Sequence, residues 1–90
     1  MNTMQVIQVK YDLPRRMITR LRKCLENHWE IVFHDECKQI SHFPYAVTGV
    51  LNFPNGMSFC FRREGYLMEE ALGALLGKVE EFNNLQSKEK

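Results

Sequence analysis

The chain has 90 residues and a mass of 10.7 kDa, enough for one domain and too little for a second. Hydrophobic residues are 44% and charged residues 26% of the total, a balance that excludes a disordered chain, while the length excludes a multidomain enzyme with a self-contained deep cofactor pocket. Net charge is only +1, but it is unevenly spread. Between Lys10 and Lys23 stand six cations (Lys10, Arg15, Arg16, Arg20, Arg22, Lys23) and one acid, Asp12; between Glu64 and Lys90 stand six acids and three cations. This is an electric dipole and not a polycation. It can steer toward an anionic partner, dock head-to-tail, or pair its two ends internally.

Three cysteines (Cys24, Cys37, Cys60) are an odd number without compact spacing. No basic segment precedes an apolar leader, and no apolar run reaches the roughly 18–20 residues that cross a bilayer. These features predict reduced thiols in a cytoplasmic protein.

In chain order, Met4–Lys10 predicts a short strand, with Met4, Val6 and Gln8 on one face and Gln5, Ile7 and Val9 on the other. Tyr11-Asp12-Leu13-Pro14 predicts a helix start, with Asp12 as the N-cap and Pro14 in the first turn. The helix is expected from about Leu13 to His28. Met17, Leu21, Cys24, Leu25 and His28, with Ile18 beside them, form its apolar stripe, and Arg16, Arg20 and Lys23 form a cationic one flanked by Arg15 and Arg22. Trp29–Phe33 reads as a second strand, and His34–Pro44 as a loop.

Tyr45–Phe53 and Met57–Arg63 are β-rich runs around Pro54-Asn55-Gly56, a hairpin turn with Gly at the left-handed position. Setting Phe53 against Met57 aligns Leu51 with Phe59, Gly49 with Phe61 and Val47 with Arg63 on a large apolar face, where the Phe61 ring can cover Gly49. The opposite face aligns Asn52 with Ser58, Val50 with Cys60 and Thr48 with Arg62. A last helix is expected over Tyr66–Asn83, with Met68, Leu72, Leu75, Val79 and Phe82 as its stripe, Glu69 and Glu70 at the positive end of its dipole, and a flexible tail over 83–90. The fold class is therefore α+β: a small antiparallel-rich sheet with two helices on one face, in the order β-α-β-β-β-α, forming one domain over residues 1–90.

Three constellations could carry chemistry. The basic helix could contact successive phosphates, with Tyr11, His28 or Trp29 available for stacking; set against this, net charge near zero is unlike a dedicated nucleic-acid binder, and such a stripe also serves as a solvated face balancing the acidic helix. Cys24, His28, His34, Cys37 and His42 include zinc-ligand residue types but no CxxC pair, and Cys24 falls on an apolar stripe, so no metal is expected. Cys37 between His34 and His42 has the residue types of a thiol nucleophile and base, but no nucleophile elbow, phosphate loop or HExxH accompanies it, so neither catalysis nor a cofactor is expected. Gly73 and Gly77, four apart in the last helix, weaken it unless a close helix contact, internal or in a homodimer, uses the space they leave.

Taken together, the sequence predicts a non-enzymatic binding protein that modulates or inhibits a larger protein or nucleoprotein complex, in the manner of an adaptor, an antitoxin-like subunit or an inhibitor carried by a phage or other mobile element. Arg15, Arg16, Arg20, Arg22 and Lys23 would speed the encounter, and Phe43 and Tyr45, the least core-like aromatics, would supply buried contact. Direct nucleic-acid binding through the same helix is the alternative.

Overall fold

The elements follow in the order α1 (Thr3–Tyr11), α2 (Arg15–Glu26), β1 (Trp29–His34), β2 (Tyr45–Asn52), β3 (Ser58–Gly65) and α3 (Met68–Lys88) in a computed structural model that describes residues 3–34 and 42–88. The strands form an antiparallel sheet in the order β1-β2-β3, and the α+β class expected from the sequence holds. The order is α-α-β-β-β-α, so the first element is the correction.

Residues 4–10 are helical, not a strand. Val6, Ile7 and Val9 are β-branched, which locally favours an extended chain. On a helix, however, Ile7 and Tyr11 lie four apart on one side, and both pack against the core. Propensity differences of a few tenths of a kcal/mol per residue are smaller than the burial of those two side chains. Val9 is left 79% exposed as a consequence.

Asp12 does not cap α2. It adopts φ 53 and turns the chain out of α1, a left-handed conformation that Asp tolerates better than most residues. The Leu13 N–H donates back to the Gln8 carbonyl at 3.1 Å. Pro14 is the N-cap, with no side-chain cap bond, and its carbonyl accepts from the Met17 and Ile18 N–H groups at 3.0 and 3.2 Å. The far end stops two residues short of the expected His28. Asn27 caps it, and His28 follows at φ 72, the position usually given to glycine.

The hairpin register matches the expected one at every pair from Val47↔Arg63 to Asn52↔Ser58. The Phe53 N–H donates to the Met57 carbonyl at 2.8 Å, the Gly56 N–H to the Phe53 carbonyl at 3.1 Å, and Gly56 takes φ 89. The Asn55 side-chain oxygen accepts from the Met57 N–H at 3.0 Å. Gly49 is covered by Leu75 and Ile31, not by Phe61; the Phe61 ring stacks on Trp29, 5.8 Å away between centroids.

Odd-numbered strand residues face the helices. Val47, Trp29 and, partly buried, Ile31, Leu51 and Phe61 meet Met17, Ile18, Leu21 and Cys24 of α2 and Met68, Leu72, Leu75, Leu76 and Val79 of α3. Leu25 and His28, expected on the α2 stripe, are exposed, because the buried face is centred on Met17, Leu21 and Cys24. Helix α3 does not end at Asn83: it runs to Lys88, so the expected tail is helical over 83–88. The even-numbered face carries exposed Glu30, Val32, Cys60 and Arg62 and half-buried His34, Thr48 and Val50.

Candidate functional site

The outward face of α2 is a dense cationic surface. With Met17, Leu21 and Cys24 turned inward, helical geometry places Arg15, Arg16, Arg22 and Lys23 on the opposite side. All four are exposed, and none makes an ion pair among the described residues. They occupy about 12 Å of helix length, with exposed Thr19 between them and exposed Glu26 one turn beyond.

Arg20 is not part of that face. It lies on the flank toward α3, where its Nε and Nη2 donate to the two carboxylate oxygens of Glu80 at 2.8 and 2.6 Å. The two-point hydrogen bond raises the Arg20 pKa and lowers that of Glu80, against a smaller opposing effect of burial on each. This fork joins the basic helix to the acidic one, the internal use of the charge dipole. Beside it Cys24 is buried, and burial, reinforced by the Glu80 charge, pushes its thiol up to about 11. A thiol so protected is a poor nucleophile and a poor metal ligand at neutral pH.

The remaining metal or nucleophile candidates do not converge on Cys24. His28 is exposed beyond the helix end, and His34 shares a 3.1 Å hydrogen bond with the Thr48 hydroxyl on the open sheet face. Cys37 lies outside the described residues, and His42 is exposed. Among the described residues no three His, Cys, Asp or Glu side chains are grouped as a metal site.

Phe43 and Tyr45 are each half-buried. Phe43 meets the Tyr66 ring edge-to-face at 4.8 Å, and Tyr45 meets Tyr11, itself stacked on Phe33 at 5.7 Å. These rings are engaged within the fold. The exposed aromatic of that cluster is Tyr66, at 62%, followed by Leu67 at 59%. Leu67 shares a shallow groove of about 250 Å³ with Lys10, Tyr11 and Asp12, just before the cationic helix. The sequence reading had placed Tyr66 inside the last helix; it precedes Met68, the first helical residue.

The two glycines of α3 part company. A side chain at Gly73 would meet the Met17 methyl at 3.5 Å, so Gly73 faces α2; nothing lies within 4 Å of Gly77. A second exposed apolar region, on the hairpin face that the sequence marks as large and apolar, joins the hairpin to the C-terminal half of α3. Phe59 touches Phe53 and Phe82, with centroids 5.5 and 4.9 Å apart, and Met57, Phe59 and Leu85 are exposed. The signal was present in the alternation of Phe53, Met57, Phe59 and Phe61 on one face. What it lacked was that α3 lies over β2 and β3 without covering the end of β3.

No described helix is long and apolar enough to cross a membrane. Comparison with protein-family models, curated proteins and solved structures gives no match.

Proposed function

We propose that this chain is a non-catalytic binding protein that docks on a larger protein or nucleoprotein complex and modulates it, with the outward face of α2 as the docking surface. The observation that carries this reading is the division of the cations. Arg20 is held by Glu80, while Arg15, Arg16, Arg22 and Lys23 remain exposed and without an ion pair among the described residues. Four such cations on little more than two turns of helix accelerate encounter with an anionic surface. Leu67, which shares a groove with the α1–α2 junction, and its exposed neighbour Tyr66 supply apolar contact in place of the engaged Phe43 and Tyr45.

Direct nucleic-acid binding by the same helix is the second reading, favoured by the same four cations, which could each neutralise a phosphate. The two differ in salt response and in substrate. Four phosphate contacts imply an affinity loss of about a hundredfold between 50 and 200 mM salt, whereas a protein interface with apolar anchors weakens far less. The test is affinity capture from native lysate with and without nuclease at those two salt levels, alongside fluorescence anisotropy with duplex and single-stranded oligonucleotides. A protein captured stoichiometrically after nuclease and at the higher salt, and lost from an Arg16→Glu, Lys23→Glu variant, supports the first reading. Oligonucleotide binding with the steep salt slope moves the second into its place, and capture indifferent to the charge reversals removes α2 from both.

A further inference from the structure

We infer that Asn55, at the tip of the β2–β3 hairpin, is a spontaneous deamidation site that its own turn holds in check, and that its modification undoes the turn. The chain has six asparagines, and Asn55 is the one followed by glycine. Asparagine loses ammonia when the backbone nitrogen of the next residue attacks its side-chain carbonyl carbon, so a side chain on that next residue obstructs the reaction. Asn27, Asn52, Asn83 and Asn84 precede His28, Phe53, Asn84 and Leu85, each with a Cβ beside the attacking nitrogen. Gly56 has none, and nothing lies within 4 Å of the place a Cβ would take. Asn55 and Gly56 are both exposed, so water and hydroxide reach them.

Both reacting groups are engaged within the turn. The Gly56 N–H donates to the Phe53 carbonyl at 3.1 Å, so the proton that must leave is occupied and the nitrogen is turned into the hairpin. The Asn55 side-chain oxygen accepts from the Met57 N–H at 3.0 Å, which fixes the carbonyl that would be attacked. Pro54, between Phe53 and Asn55, presets the backbone for this arrangement. Bringing the Gly56 nitrogen onto the Asn55 Cγ requires the intervening peptide to swing, and that movement breaks both bonds. Two hydrogen bonds of ordinary net strength make the opened turn scarce enough to slow the folded chain about fivefold to a hundredfold against the unfolded one.

In the opened turn the Gly56 nitrogen gives its proton to a solvent base and bonds to the Asn55 Cγ. The Cγ–Nδ2 bond breaks, and Nδ2 takes a proton from water and departs as ammonia. One water then opens the cyclic imide. Opening at the former side-chain carbonyl leaves aspartate; opening at the backbone carbonyl leaves isoaspartate, with an extra carbon in the main chain. The longer chain no longer fits the Phe53 N–H to Met57 carbonyl bond that closes the hairpin at 2.8 Å. Met57 and Phe59, exposed on the strand side of that turn, shift with it. The modification therefore alters the apolar hairpin end and is independent of how the α2 face is used.

The test incubates the full chain at neutral and mildly alkaline pH, folded in buffer and unfolded in guanidinium chloride. Peptide mass mapping follows the mass gain of amide-to-acid exchange, and fragmentation separates aspartate from isoaspartate. Asn55 should be modified ahead of every other asparagine in both states, faster at the higher pH, with the folded rate about fivefold to a hundredfold below the unfolded one. Pro54→Ala loosens the turn and should raise the folded rate about twofold to fivefold while leaving the unfolded rate unchanged. Gly56→Ala should suppress the reaction in the unfolded chain, where turn geometry plays no part. The isoaspartate form, separated by its added negative charge, should unfold at lower denaturant concentration than the unmodified chain. Modification first at another asparagine, equal rates in the two states, or a folded rate indifferent to Pro54→Ala overturns the proposal. So does an isoaspartate form as stable as the unmodified chain.

Discussion

Arg20 and Glu80 form the best-defined polar contact in the fold, yet both side chains are about two-fifths exposed. Solvent screening limits the contribution of such a pair to about 0.2–1 kcal/mol. Glu80→Gln should therefore lower unfolding stability by no more than that, measured by urea titration. Because the hydrogen bond from Arg20 lowers the Glu80 pKa, the folded state favours the carboxylate. The wild-type advantage over Glu80→Gln is then full at pH above the ordinary glutamate range and disappears as acid protonates Glu80 in both states. The partner's raised pKa acts only at alkaline pH beyond the ordinary arginine range, where it plays no part in a physiological profile. The cysteines diverge just as clearly. Cys24 is buried with its thiol pushed up to about 11, and Cys60 is exposed on the sheet. Brief treatment of the native protein with iodoacetamide at neutral pH should alkylate Cys60 well ahead of Cys24, as read by peptide mass mapping; equal rates would mean that α2 opens readily from the core. Above the ordinary thiol range the unfolded chain ionises Cys24 more readily than the folded one, so this residue makes stability fall as pH rises toward 11.

Among the elements, glycines give the sharpest contrast. A Cβ at Gly65 would lie 2.9 Å from the Ala71 backbone nitrogen and from the Glu70 Cβ, so β3 can approach the start of α3 only without a side chain there. Gly65→Ala should cost about 1–3 kcal/mol in thermal or denaturant unfolding. Gly77→Ala should do the reverse, raising stability by up to about 1 kcal/mol, because its site is open and alanine is the better helix former. Legibility from sequence also varied by element. The hairpin was readable to single-residue register because turn chemistry and alternation are both local, and the stripes of α2 and α3 were readable from their spacing. Helix α1 was not, since its β-branched Val6, Ile7 and Val9 favour an extended chain locally, and what decides its form is the packing of Ile7 and Tyr11 on a core assembled from distant residues. Asp12 misled for a related reason: a residue suited to an N-cap is equally suited to the left-handed turn it occupies. At the candidate site, the cationic face was visible from the clustering and helical spacing of the cations between Arg15 and Lys23. The removal of Arg20 to Glu80, sixty residues away, and the internal engagement of Phe43 and Tyr45 depend on how helices and loops come together, and no local pattern encodes them.

For the whole molecule, the layering of two long helices on one side of a three-stranded sheet leaves different surfaces for different tasks. The outward face of α2 carries charge, and the hairpin end beside α3 carries exposed apolar side chains, Met57, Phe59 and Leu85 among them. A net charge of +1 means that the overall field is weak, so any electrostatic steering must arise from the local α2 cluster and should fade once the Debye length falls to about 10 Å, near 0.1 M salt.

The chain has one tryptophan, and its setting makes the protein its own optical gauge. Trp29 opens β1, is 2% exposed, stacks on Phe61, meets Phe82 edge-on and donates from Nε1 to the Asn83 side-chain oxygen at 3.3 Å. Its indole thus touches β3 and the C-terminal half of α3 at once. Emission from the native state should be blue-shifted, and any event that lifts the end of α3 from the sheet should move it to the red before the sheet itself melts. Asn83→Ala would shift that colour with little change in secondary structure, so a single fluorescence channel could follow α3 docking, with no label attached, while binding or association is being measured.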